Sequence, residues 1–479
     1  MNLISCEQLV SLGRQVPTPF RLTVQEGQDE DEIVIESILR IVPGKRLVGL
    51  SRWNDQQVIV KLFYNPSHWK RNQLRDLKGC NLLKQAQLPT PDIVHHTATP
   101  DQKGGVLMIE YLQEGTTLGT LFEDASSAEH KSATVRKGLE TIARCHGAGL
   151  LQKDIHLDNF MLANGTVYLL DGGDISSYAG DFDTDTRLNN LATFFAQFPV
   201  GMDAEAPELL VAYQEQTSEM TESQLAGFIG RISTARKLRM GNFERKLFRS
   251  TTANRCVWHA SKFLVHDRSI HSPELDAFIA NPDVLLDRGE VLKRGNSSTV
   301  VRVKIGGQEF VLKHYNIKSF WHGLSRLFRP SRAHHSWRNA NLLKMLGVAT
   351  PQPYLFMEER ICWLFRRRAY FLCELVAGDN LIEELETNNF DLLESRSVVD
   401  AFRDLFNTLR TYRIHHGDMK ASNFIFSNER LYVLDLDAMQ RHKTERSFRK
   451  KYAKDLARFS RNWKGSKLEK AVDRMIENL

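Results

Sequence analysis

The six cysteines (Cys6, Cys80, Cys145, Cys256, Cys362, Cys373) form no CxxC pair. That spacing argues against a zinc site and suits free thiols in a reducing compartment. No apolar run approaches the roughly 18 residues needed to span a bilayer. The opening MNLISCEQLVSLGRQ has no basic start and no sustained apolar stretch, so it does not read as a secretory signal. A Gly-x-Gly-x-x-Gly loop is missing as well. These absences predict a cytoplasmic chain, soluble or peripheral. Its 479 residues, 42% hydrophobic and 25% charged, are enough for two or three domains with ordinary cores.

The net charge of +6 is unevenly placed. Residues 441–479 hold 13 Lys/Arg against five Asp/Glu, and residues 314–357 hold six Lys/Arg and no acid. Such segments are either solvated helix faces or surfaces for an anionic substrate or an anionic membrane. No nucleic-acid motif accompanies the charge, so nucleic acid is not expected.

The chain repeats itself. NLLKQAQLPTP (81–91) reappears as NLLKMLGVATP (341–351) at an offset of 260. KDIHLDNFML (153–162) and VYLLDGGDI (167–175) match GDMKASNFIF (417–426) and LYVLDLDAM (431–439) at an offset of 264. Two copies of one plan in the same order indicate a duplication. In each copy, alternating residues predict strands around VIVKLF (58–63) and FVLKHY (310–315). A helix follows that proline is expected to stop at Thr-Pro. Further strands, VLMIEYL and AYFLCELV, then precede helical segments. The expected fold is α+β, as two tandem bilobal domains, each with a β-rich and a helical lobe. The first would span 1–280 (lobes about 30–112 and 113–265) and the second 281–479 (lobes about 285–376 and 377–479).

Phosphoryl transfer from ATP needs an aspartate to orient and deprotonate a hydroxyl, hard oxygen ligands for Mg²⁺, and a lysine on the α/β-phosphates. Protein kinases place these as a strand lysine, HRD-x4-N and DFG. The second copy has Lys313, His416-Gly417-Asp418, Asn423 and Asp435; the first has Lys61, Gln152-Lys153-Asp154, Asn159 and Asp171. Each residue alone is ordinary turn or edge chemistry; four in order, twice, are not. The strand lysine usually pairs with a helix glutamate. Between Lys61 and Pro91 the only acid is Asp76, a shorter substitute, and between Lys313 and Glu358 there is none, which leaves Asp435 as a partner for Lys313. Ala206-Pro207-Glu208 imitates an APE motif, but RLNNLATFFAQF (187–198) predicts an intervening helix that leaves no activation loop. Only 44 residues follow Asp435, which favours a small or lipid-linked acceptor over a folded protein.

With these residues the chain resembles the lipopolysaccharide-core sugar kinases, the WaaP/InaA-type branch of the protein-kinase-like fold. HGDMKASNFIF and LYVLDLDAM look like that family's HGDL-x4-N and IDLD motifs, and HGAGLLQKDIHLDNFMLANGTVYLLDGGD looks like an InaA-type catalytic loop. The resemblance covers about 35–200 and 285–460. It implies ATP- and Mg²⁺-dependent phosphorylation of an inner-core heptose or Kdo hydroxyl, or of another anionic glycolipid, at the cytoplasmic face of an inner membrane. Asp418 and Asp154 would then be catalytic bases. Lys313 and Lys61 would contact ATP, and Asn423, Asp435, Asn159 and Asp171 would hold the metal. Segments 314–357 and 441–479 would touch the membrane. Two rival readings are a chain in which one copy is a pseudokinase scaffold, and a kinase acting on protein Ser, Thr or Tyr.

Overall fold

The computed structural model describes residues 1–178, 183–217, 221–295, 298–315, 330–363, 365–387, 392–466 and 468–479. The fold is mixed α+β and divides into two compact units, Met1–Gln197 with Ala204–Ala235, and Phe198–Asp203 with Arg236–Leu479. The division falls well before the expected cut near 280. Strands Asn254–Trp258 and Lys262–Asp267 form a hairpin that pairs along Pro353–Ile361, with Lys262 opposite Glu359 and His266 opposite Leu355. The free edge of Lys262–Asp267 is satisfied in the second sheet, so the hairpin folds with that unit. Arg236, fully buried, ties the short 198–203 segment to the same unit through Asp203 at 2.5 and 2.6 Å and the Phe198 carbonyl at 3.1 Å. A buried guanidinium persists only with such a bidentate partner.

The first unit has a five-stranded antiparallel sheet. In spatial order its strands are Ser37–Val42, Arg46–Trp53, Gln56–Phe63, Gly105–Glu110 and Ile93–Ala98. Alternation drives it: Val58, Val60 and Leu62 turn inward, packing with Leu47, Val106 and Met108. Helices Ala128–Gly147 and Thr184–Phe195 follow, the latter over most of the stretch expected to be helical.

The second unit repeats the five-strand order with Glu290–Arg294, Ser298–Ile305, Gln308–Tyr315, Phe365–Glu374 and Pro353–Ile361, and the hairpin extends it to seven strands. Helices Leu392–Thr411 and Glu445–Asn462 carry the apolar faces that pack Phe402, Phe406, Phe459 and Trp463 together.

In each unit a helix packs after the third strand, Trp69–Gln85 in one and Arg332–Met345 in the other. Proline does not end them. Each stops earlier, where Gln87 (φ +55°) and Gly347 (φ +79°) take the left-handed conformation. The next amide then bonds back six residues' span, Leu88 N–H to the Leu83 carbonyl at 2.9 Å and Val348 N–H to the Leu343 carbonyl at 3.0 Å. Among the described residues no helix is long and apolar enough to cross a membrane, and all six cysteines are free thiols.

Candidate active sites

The Thr-Pro motif docks the polar loop. Thr90 Oγ1 donates to the Leu169 carbonyl at 2.9 Å, and Thr350 Oγ1 donates to the Val433 carbonyl at 2.8 Å. Leu169 and Val433 donate back to the Pro89 and Ala349 carbonyls, at 2.9 Å each. Both threonines are buried. The repeat of LPTP as VATP was legible, but this anchoring role was not.

The polar loops themselves are superimposable in their bonding. The amide of Asn159 donates to the Asp154 carbonyl at 2.7 Å, and that of Asn423 to the Asp418 carbonyl at 2.8 Å. Both amide nitrogens are thereby used, which leaves each Asn Oδ1 as an outward acceptor. The Asn backbone carbonyls accept from Leu170 and Leu434, residues next to Asp171 and Asp435, at 3.0 and 2.8 Å. In each unit the Asp, the Asn and the second Asp are thus brought together as the spacing predicts.

The two turns before the loop differ. In the second unit His416 is buried; its Nδ1 accepts from the Asp418 amide at 3.2 Å, so Nε2 carries the proton and donates to the Leu434 carbonyl at 2.9 Å. The Asp455 carboxylate takes the amides of His416 at 2.6 Å and Gly417 at 3.1 Å. Gly417 sits at φ +87°, and a side chain there would press on Ala438. Asp455 lies 37 residues beyond Asp418 in a basic helix and gave no signal in the sequence. In the first unit Gln152 stands in for His416 and its amide reaches the Asp171 carbonyl at 3.4 Å, keeping one donor. Asn190 holds the Gln152 carbonyl at 2.9 Å.

Lys61 and Lys313 occupy one register position, Lys61 opposite Val48 and Leu107, Lys313 opposite Val300 and Phe371. Lys61 Nζ lies 2.9 Å from Asp76, which is fully buried, 3.8 Å from Asp171 and 3.3 Å from the Leu170 carbonyl. Burial pulls its pKa down, but Asp76 and Asp171 outweigh burial and hold it above the ordinary lysine value. Burial likewise pushes Asp171 up, while Lys61 and Arg46 bring it below the ordinary carboxylate range. Lys313 Nζ lies 2.5 Å from Asp435 and 3.7 Å from Asp437, and Asp437 is held by Arg332 at 2.7 Å. Asp435 is itself left-handed, φ 54° and ψ 56°. Despite burial, Lys313 draws Asp435 down, while burial and the neighbouring Asp435 push Asp437 up.

The proposed bases are in unlike surroundings. Asp154 is exposed and its carboxylate has no partner among the described residues. Asp418 is half-buried and meets Arg458 at 2.7 Å and Lys420 at 3.4 Å.

A cavity of about 350 Å³ opens beside Lys61 in the first unit. Val48, Ile59, Ile109 and Met161 supply apolar walls, the Glu110–Leu112 segment forms one edge, and Lys61, Asn159 and Asp171 close one end. Apolar walls with convergent polar groups at one end suit a planar base joined to phosphates. Mg²⁺ is commonly held by one or two carboxylates together with substrate phosphates. The free Asn159 Oδ1 and the depressed Asp171 carboxylate fit that requirement.

Other expectations fare less simply. Lys318, Arg326 and Arg329 of the basic 314–357 segment lie outside the described residues. Of the remaining cations there, Arg332 binds Asp437 and Arg338 approaches Glu244 at 3.8 Å. Glu244 also takes Arg441 at 2.8 Å, so part of this charge is spent inside the unit.

Residues 283–477 match the model of the lipopolysaccharide kinase (Kdo/WaaP) family. No curated protein matches the chain. Among solved structures, WaaP in complex with acyl carrier protein aligns at 17% identity and a TM-score of 0.30, covering 45% of this chain and 96% of that one. The Mycobacterium tuberculosis PknI kinase domain aligns at 14% identity and a TM-score of 0.29, covering 42% and 95%. The matched residues carry Lys313, Asp418, Asn423 and Asp435, and the matched family is one of kinases.

Proposed function

We propose that the chain is an ATP- and Mg²⁺-dependent phosphotransferase, built from two kinase-like domains, that phosphorylates a heptose or Kdo hydroxyl of the lipopolysaccharide inner core at the cytoplasmic face of the inner membrane. The observation that carries the reading is the repeated constellation: an Asp–Asn pair held in both units by the same hydrogen bond, with a strand lysine within 4 Å of the second Asp. Asp154 or Asp418 orients the acceptor hydroxyl and takes its proton as that oxygen bonds to the γ-phosphorus and ADP departs. Lys61 or Lys313 fixes the phosphates through charge, and the Asn Oδ1 and second Asp are the oxygens offered to the metal, which neutralises phosphate charge when bound.

A second reading, that one unit is a scaffold, is favoured by the Arg458 and Lys420 contacts on Asp418. Intact mass of the core oligosaccharide tests both. Cells lacking the chain are expected to lose core phosphate, and the intact chain to restore it. Asp154→Asn and Asp418→Asn then identify the working unit: failure of one assigns the chemistry to it, failure of both means the units cooperate or act on separate hydroxyls. A core unchanged in every strain would remove the sugar-kinase reading.

A further inference from the structure

The first unit holds a second cavity, of about 380 Å³, that the proposed chemistry does not use. It lies between the turn after Val42 and the Trp69–Gln85 helix. Lys45 comes from the turn and Arg46 from the start of the next strand; His68, Arg71 and Arg75 come from the helix and its cap; Asp174 is the single acid. Lys45, His68, Arg71 and Arg75 are exposed, and among the described residues Lys45, Arg71 and Arg75 have no carboxylate within 4 Å. Arg46 lines both cavities and stands 3.9 Å from Asp171, so the basic cavity adjoins the phosphate end of the first.

A row of cations is usually a solvated face. This one is concave, and it sets Arg71 and Arg75 one turn apart on a helix, where like charges repel. The helix's first turn has no acid to offset them. Guanidinium forks and an ammonium converging on one hollow match phosphate, whose oxygens accept several charge-assisted bonds at once.

We propose that this cavity is a binding site for a phosphate monoester or diphosphate group, separate from the nucleotide cleft, so that the first unit holds two phosphate-bearing ligands together. The site stands apart from the lipopolysaccharide reading, because its probe is phosphate itself.

The test is calorimetric titration of inorganic pyrophosphate into the full chain, alone and saturated with a non-hydrolysable ATP analogue and Mg²⁺. Pyrophosphate is expected to bind in both states. The Lys45→Ala/Arg71→Ala double variant is expected to weaken it by about tenfold or more while leaving affinity for the analogue unchanged. Both residues are exposed, so the variant retains the fold, and Lys45→Arg is expected to keep binding. If the analogue abolishes pyrophosphate binding, the cavity is merely the tail of the nucleotide cleft and the proposal falls. It falls equally if the double variant binds as the parent does. Competition by a phosphorylated core oligosaccharide, lost on phosphatase treatment, would support the site and identify a glycan-borne phosphate as its ligand. Pyrophosphate binding that neither form displaces would support it as a site for a free anion.

Discussion

The two clefts meet one electrostatic requirement from opposite sides. In the first, the acid that steadies the strand lysine comes from the helix: Asp76 lies 2.9 Å from Lys61. In the second, the equivalent helix position is Ser336, turned to the Tyr315 hydroxyl at 2.9 Å, and both acids near the lysine come from the loop, Asp435 at 2.5 Å and Asp437 at 3.7 Å. The loop position matching Asp437 in the first unit is Gly173, where a Cβ would stand 2.2 Å from Asp76 Oδ1. Only one of the two positions can carry the acid. The helix–loop joint is exchanged in the same manner. Gly79 lets backbones close up, since its Cβ would fall 1.7 Å from the Gly172 carbonyl. Its counterpart Asn339 bridges instead, donating to the Leu436 and Met439 carbonyls at 2.7 and 2.9 Å.

The hardest test of this exchange is Asp76→Ser. It leaves Lys61 buried with Asp171 at 3.8 Å as its nearest acid, and removing one partner of a buried pair costs about 3–5 kcal/mol. Urea unfolding of the first unit's transition should show that loss. Gly173→Asp alone should also destabilise, by collision with Asp76. Together, Asp76→Ser with Gly173→Asp should recover much of the deficit, because the acid has moved to the loop as in the second unit. A double variant no better than the sum of the singles would mean that the two joints are not interchangeable.

Acid should weaken the first unit next. His146, buried against the Tyr213 hydroxyl at 2.9 Å and Asn190 at 3.1 Å, is pushed down to about 4 chiefly by burial. Its folded value is depressed, so the stability it contributes is complete above the unfolded histidine value near 6.5 and drains away as pH falls toward 4. The ceiling is about 3 kcal/mol at roughly 1.4 per unit. Stability of the first unit, measured from pH 7.5 to 4, should decline over that window. His146→Gln should start lower and decline less.

Much of the plan was readable. The strands around Lys61 and Lys313, the polar loops and the Asp76 partner follow from alternation, spacing and the one acid in range. Asp435 as a partner of Lys313 followed by elimination. What escaped notice depends on contacts across the fold. Asp437 stands inside LYVLDLDAM without a role of its own, because elimination named only Asp435 as the loop acid for Lys313. Asp455 caps the His416–Gly417 turn from 37 residues beyond Asp418, and no local pattern distinguishes it from its basic helix. The hairpin 254–267 was assigned to the first domain because linear order cannot say which sheet edge a strand will join.

Asn339→Ala probes the bridged joint alone. It removes the side-chain donor from the Met439 carbonyl and leaves the Leu436 carbonyl only the Met439 amide, at a cost of about 1–3 kcal/mol. The second unit's unfolding should shift by that amount while the first unit's midpoint stays fixed. Equal movement of both midpoints would mean that the joint serves the whole chain.

The smallest expected effect concerns Arg458. It meets Asp418 at 2.7 Å, but the side chains are 38% and 25% exposed, so water screens the pair. Arg458→Ala should therefore change stability by less than about 1 kcal/mol, in contrast to Asp76→Ser. Its chemical effect is larger than its thermodynamic one, because Asp154 has no such partner and Asp418 does. In an Asp154→Asn background, phosphate transfer that depends on Asp418 should rise when Arg458 is removed, since the carboxylate is then free to meet a hydroxyl. A fall would reverse the comparison: the cation would belong to the acceptor's anionic group, with Asp418 holding it in place until that group arrives.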